Sequence, residues 1–315
     1  MSLVSMISGK SERCLKLKNA LESIKPKKEE FSTFSGKKPF SKEYELKVKY
    51  NLENPYQSTL IGTAFDYLAR FIISKYTFSY VSVDNLIAFK IAEPIHEIID
   101  EETSSKLKHL MKNGEKHIKT YCKEQIFSIN NNTFYYDINK LAISRELAVF
   151  SIKLAKLDGI YRGGLAYLDN TLINLFNEES EVIIEELMSL CEVFIKDFID
   201  TDLINPRSKV IFNPTFNKAS DIVGGADADI IIDKTLYDFK TTKNYGYMSK
   251  NVLQLMGYYI LNKINQDEKG FFRSKTYSIN RIAFYKARFG EVEYFDISKL
   301  DKSKILAAKK CIKSL

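Results

Sequence analysis

Cysteine is scarce in this 315-residue chain, and the four present, Cys14, Cys122, Cys191 and Cys311, are far apart and form no C-x-x-C pair. That spacing excludes a zinc knuckle or local redox motif and predicts ordinary reduced thiols. Histidine is scarcer still. His96, His109 and His117 fall in one charged stretch, and the last two are not helical neighbours, which predicts a solvated helix rather than a histidine-ligated metal. No apolar run approaches the ~18 residues that mark a membrane span, and the N-terminal residues lack the apolar block and small-residue cleavage site of a secretory signal. A cytoplasmic protein with no membrane partner is therefore expected. The absence of internal repeats and low-complexity blocks argues against a solenoid. What remains is a folded chain that is 45% hydrophobic, with 47 Lys and Arg against 40 Asp and Glu. Its formal charge of +7 and pI near 8.9 favour polyanionic partners without requiring them.

Hydrophobic periodicity divides the chain into a mainly helical part, residues 1–204, and a mixed α/β part, residues 205–315. Residues up to about 55 read as an N-terminal helix followed by an irregular arm. Ile61, Phe65, Leu68 and Ile72 recur at helical steps after a cap at Ser58 or Thr59, with Thr63, Asp66 and Arg70 on another stripe. Pro94 is expected to start a helix running to about Lys119, and Phe127 to Tyr136, with Asn130 to Asn132 at its centre, to form a hairpin. Further helices are predicted over Ser144 to Leu157, with a turn from Tyr161 to Gly164, and over Glu181 to Ile199. Beyond Pro206, strands are expected at Lys209 to Phe212, Asp227 to Ile232, Thr235 to Phe239 and Arg281 to Phe289. A helix over Met248 to Asn262, a turn at Phe289-Gly290 and a basic helix from Ile297 complete the pattern.

Chemistry concentrates between Gly224 and Lys240, in the order Gly-Gly-Ala-Asp-Ala-Asp, Ile-Ile-Ile, Asp-Lys-Thr, Leu-Tyr-Asp-Phe-Lys. Residues two apart on a strand share a face, so Asp227 and Asp229 are expected to point together, as are Asp238 and Lys240. A hairpin through Asp233 to Thr235 would merge them into one cluster of carboxylates and an ammonium. Charges set in apolar strands must pair or bind a metal, and hard divalent cations prefer oxygen ligands. The pattern suits magnesium, and a plain Asp238–Lys240 ion pair is the competing explanation.

Residues about 205–295 resemble the PD-(D/E)XK nuclease superfamily, and within it the RecB-like and lambda-exonuclease-like group. Gly224 or Gly225, Asp227 or Asp229, Asp238-Phe239-Lys240, and Gln254 with Tyr258 on the following helix match its motifs in order and spacing. The resemblance implies an α/β, restriction-endonuclease-like fold: a mixed central sheet flanked by helices, here with a large helical N-terminal part. It also implies an Mg2+-dependent deoxyribonuclease, with Mn2+ as an expected substitute and DNA as partner. Asp229 and Asp238 would hold the metal with the Phe239 carbonyl, Asp227 being the alternative to Asp229, and Lys240 would orient and help deprotonate the attacking water. Gln254 and Tyr258 would border the site.

Gly62-Thr63-Ala64-Phe65-Asp66 resembles the group's Gly-x-x-x-His helix, with Asp66 where histidine often stands, against a plain pairing of Asp66 with Arg70. Glu186 is a further candidate ligand, against the alternative of a helix-edge glutamate. Thr241, Thr242 and Lys243 are candidate phosphate contacts, and Arg281, Tyr285, Lys286 and Arg288 candidate residues of a DNA path. An exonuclease acting on DNA ends is the expected activity. A nonspecific or restriction-type endonuclease and an inactive nucleic-acid-binding module of the same fold are the alternatives, and oligomeric state is left open.

Overall fold

The computed structural model describes residues 2–130, 133–164, 168–267 and 276–315. In chain order its elements are α1 (Leu3–Ser8), α2 (Glu12–Glu22), β1 (Ser32–Thr33), α3 (Pro55–Thr77), α4 (Ile87–Ile95), α5 (Glu101–Lys123), β2 (Phe127–Asn130), β3 (Thr133–Tyr136), α6 (Arg145–Gly163), α7 (Leu168–Leu175) and α8 (Glu181–Phe194). The remainder are β4 (Val210–Phe212), α9 (Lys218–Asp221), β5 (Ile230–Ile232), β6 (Thr235–Lys240), α10 (Ser249–Asp267), β7 (Arg281–Lys286), β8 (Glu291–Asp296) and α11 (Lys302–Lys313). The class is α/β with a mixed sheet.

Six strands form that sheet in the order β1-β8-β7-β6-β5-β4, and β6–β7 is its parallel pair. α10 makes the crossover this pairing needs. Alternation along the strands sends Tyr237, Phe239 and Tyr285 to one face, where they meet Phe65 of α3 and Phe194 and Phe198 from α8 and the π-helical turn after it, in an aromatic cluster. Ile231, Leu236, Ile282 and Phe284 face the other way, into a second apolar core with α1, α2, α10 and α11. The strands are buried on both sides, which is why they read as continuous apolar runs.

Several boundaries differ from the sequence expectation, each for a local reason. α3 begins under an Asn54 cap whose side chain accepts the Gln57 N–H, with Pro55 in the first turn, one turn before Ser58 and Thr59. Pro94 closes α4 instead of opening a helix, and α5 starts separately under Asp100, which accepts the Thr103 N–H. α6 carries on through Tyr161 to Gly163, so the expected turn there is helix. The expected hairpin forms from β2 and β3, with Phe127 opposite Tyr136, and its tip at 131–132 lies outside the described residues. Residues 2–33 belong with the sheet and not with the helical part: β1 extends it beside β8, and the Leu3 N–H donates to the Gly225 carbonyl at 2.9 Å. A boundary at 204/205 therefore does not separate the packing.

Behind the sheet end, Arg288 is almost wholly buried (1% exposed) and ties three segments together. Its guanidinium donates to the Thr241 carbonyl after β6, to the Lys49 carbonyl at 2.8 Å and to Glu186 of α8, whose other oxygen accepts the Asn51 N–H at 2.9 Å. Removing one partner of a buried pair strands the other charge, at about 3–5 kcal/mol. Glu186→Ala is therefore expected to lower the stability measured by urea denaturation by roughly that amount. A loss under ~1 kcal/mol would mean that the carbonyl bonds alone satisfy Arg288.

Candidate active site

β5 and β6 run as an antiparallel pair from Ile232↔Thr235 to Ile230↔Tyr237 and then part. Beyond Ile230 the chain turns toward β4: the Asn213 N–H donates to the Asp229 carbonyl, the Ala228 N–H to the Pro214 carbonyl, and Asp227 bridges Thr215. Gly224 and Gly225, at φ of 73° and 120°, supply the left-handed turn that leads into this segment. The parting leaves the outer end of β6 without a β5 backbone partner. The Asp229 carboxylate fills the gap, accepting the Phe239 N–H at 3.0 Å.

By strand parity Asp229, Asp238 and Lys240 lie on the side of Ile231 and Leu236, facing α10. The Lys240 ammonium is 2.7 Å from the Asp238 carboxylate, which is 4% exposed. α10 contributes Gln254, whose amide donates to the Tyr258 hydroxyl at 2.9 Å. From the other side comes Asp66. α3 reaches the strand end because Gly62 leaves room for Thr241, whose hydroxyl oxygen would lie only 3.2 Å from a Cβ at that position. Arg70 secures the helix there, its guanidinium donating to the Asp66 carbonyl and to Asn213. It thus bonds the main chain of Asp66 as well as lending its carboxylate a positive field.

The electrostatics are those of a crowded anionic notch. Burial, then the charge of Asp229, pushes the Asp66 carboxyl well above its ordinary range, against the pull of Arg70. Burial also drives Asp238 up to about 7, with Asp229 adding to the shift and Lys240 opposing it. For Lys240, burial works against the charged form, but Asp238 and Asp229 outweigh it and hold the ammonium above its usual range. Tyr258 is raised by burial and by Asp229. With no ion among these carboxylates the Lys240 ammonium is held charged and paired with Asp238.

Asp229, Asp238, Lys240, Gln254, Tyr258 and Asp66 thus converge at one end of the sheet. Asp229 is the strongest anionic neighbour of both Asp66 and Asp238. Asp227 lies before the strand, exposed and bridged to Thr215, and like Asp229 it lies within electrostatic reach of Tyr258. Glu186 is not available as a ligand, because Arg288 and the Asn51 N–H engage both its oxygens. Thr241 packs toward Gly62, the Thr242 hydroxyl accepts the Asn244 N–H, and exposed Lys243 lies over the Tyr50 ring at 4.3 Å. Tyr285, Lys286 and Arg288 are buried and cannot line a DNA path, while Arg281 pairs with Asp296. Sequence reasoning placed Arg70 beside Asp66 but missed its bond to Asn213 and the buried Lys286–Glu293 pair behind the site. Lys286 is the register partner of Lys240, a relation visible only once β6 and β7 are known to be parallel.

Among the described residues no three of His, Cys, Asp and Glu converge closely enough to enclose a metal ion by themselves. The donor set nevertheless fits a hard cation of the magnesium type, which is commonly held by one or two carboxylates with waters and substrate phosphates completing the shell. The notch is a candidate open site, not a closed cage.

An acid whose folded pKa is raised favours the protonated fold, so the Asp66 penalty is absent below its unfolded pKa and grows as pH rises through the folded one. Asp66→Asn removes that penalty. In chelator it is expected to melt about 2–4 °C above the wild type near pH ~8, with a smaller gain near pH ~5. Added Mg2+ should then raise the melting temperature of the wild type more than that of the variant. A variant less stable than wild type at both pH values would show that the Asp66 charge is not under repulsion.

Compared with known proteins, the chain matches no family model, no curated protein and no solved structure.

Proposed function

We propose that this protein is a divalent-metal-dependent nuclease of the PD-(D/E)XK type that hydrolyses DNA phosphodiester bonds, acting at DNA ends. The observation that carries the reading is the meeting of Asp229, Asp238 and Lys240 on one face of a parted strand pair, with Asp66 opposite on α3. A mixed sheet with one parallel pair beside the Asp-x-Lys strand also supports a restriction-endonuclease-like core.

Asp229 and Asp238 would hold Mg2+, or Mn2+ in its place, with the Phe239 carbonyl and Asp66 as further oxygen donors. Bound there, the ion would offset phosphate charge and lower the pKa of a coordinated water. Lys240, kept protonated by its carboxylate neighbours, is suited to hold a phosphate oxygen or the attacking water as a donor and to stabilise the charge that develops. The Asp229 carboxylate is oriented by the Phe239 N–H, so its position does not depend on substrate. Gln254 donates to the Tyr258 hydroxyl, which leaves the phenol proton for an acceptor on the carboxylate side.

The test is digestion of linear and closed circular DNA with Mg2+. Linear DNA should be degraded and the circle spared. Lys240→Ala and Asp229→Asn should each lower turnover by about 10²–10³-fold or more in protein that still folds, whereas Asp227→Asn should stay within a few-fold of wild type. Equal attack on the circle would establish the endonuclease alternative instead. Binding without cleavage under any divalent cation would leave a nucleic-acid-binding module.

A further inference from the structure

α5 carries a charge pattern that the catalytic notch does not use. Leu107, Met111, Gly114, Ile118 and Tyr121 are its buried face, at three- and four-residue steps against the helical core. On the outer face Lys108, Lys112, Lys116, Lys119 and Lys123 recur at the same steps, all exposed, forming a stripe ~22 Å long. Within it Lys119 pairs with Glu115 at i, i+4. Among the described residues no carboxylate forms an ion pair with Lys108, Lys112, Lys116 or Lys123. Like charges at i, i+4 destabilise a helix, so the pattern works against local helix stability.

We propose that this stripe is a docking surface for a nucleic-acid strand, apart from the catalytic notch. Lysines are point charges that contact phosphates without reading sequence, and a straight row of them suits a linear polyanion. Tyr80, four-fifths exposed, stands within electrostatic reach of Lys119 and offers a ring on which a base can stack, with Asp84 also nearby. A lipid surface fits less well, because an interfacial helix needs apolar residues free to enter the bilayer and those of α5 are buried in the core. The surface is physically joined to the notch. Lys75 of α3 pairs with Glu124 and lies over the Tyr121 ring at the C-terminal end of α5, roughly two and a half helical turns beyond Asp66. The inference extends the nuclease reading without depending on it, since it concerns binding alone.

The test is fluorescence anisotropy of a labelled single-stranded oligonucleotide of ~30 nucleotides in chelator over a series of salt concentrations. Lys112→Gln, Lys116→Gln and Lys123→Gln are combined in one variant; glutamine has similar helix propensity, so the melting temperature should hold. Affinity is expected to fall roughly 10-fold or more at low salt, and the slope of log affinity against log salt to shrink by about 2. Lys→Arg at the same positions should retain binding. Unchanged affinity and slope in the glutamine variant would overturn the proposal, as would wild-type binding to anionic phospholipid vesicles with none to the oligonucleotide. Because no metal is present, loss of nuclease activity in Lys240→Ala leaves this readout unaffected, so the two proposals fail separately.

Discussion

The organising constraint is a shortage of positive charge at the outer end of β6. Asp66, Asp229 and Asp238 act on one another there with Lys240 and Arg70 as their cationic neighbours, Asp238 buried and Asp66, Asp229 and Lys240 partly buried. Such an arrangement is unfavourable in isolation, and a fold keeps it only if the surrounding structure over-determines it. Here the backbone does so. The parting of β5 from β6 frees the Phe239 N–H, and the Asp229 carboxylate is the acceptor that satisfies it. Asp229 is thus needed by the main chain even though its charge raises both neighbouring carboxyls.

The rest of the molecule can be understood as support for that sheet end. The aromatic cluster of Phe65, Phe194, Phe198, Phe239 and Tyr285 locks α3 and α8 onto one face, so Asp66 arrives on a rigid helix. Arg288 ties the loop around Lys49, the end of β6 and Glu186 of α8 into one unit. On the opposite face α10 brings Gln254 and Tyr258 against the carboxylates, backed by α1 and α2. Both helical layers therefore converge where β5 and β6 separate.

Much of this was legible in the residues. Continuous apolar runs bounded by turn residues gave the strands after 206, and the parity of Asp238 with Lys240 needed no tertiary information. Which acid joined them did. Asp227 and Asp229 have the same parity, and what distinguishes them is non-local: Asp229 accepts the Phe239 N–H of β6, whereas Asp227 lies in the exposed segment bridged to Thr215. Glu186 illustrates the converse. A glutamate beside an apolar stripe signals a buried charge, but its partner is Arg288, about a hundred residues away. The N-terminal residues were opaque because β1 is two residues long and its pairing with β8 spans most of the chain.

The protonation of Lys240 bears most directly on how such a site would work. A lysine acting as a base must be neutral, which burial favours; here burial does press that way, but Asp238, Asp229 and Asp66 together exceed it. The same carboxylates that would bind a cation therefore keep the lysine a cation while none is bound. Asp238, which would help hold a divalent ion, is also the 2.7 Å partner of Lys240, so its charge would be shared between the two cations. On this account the ion pair and a bound cation would be alternative states of one set of charges. Asp238 sits where the two meet: burial and Asp229 push its carboxyl up while Lys240 pulls it down.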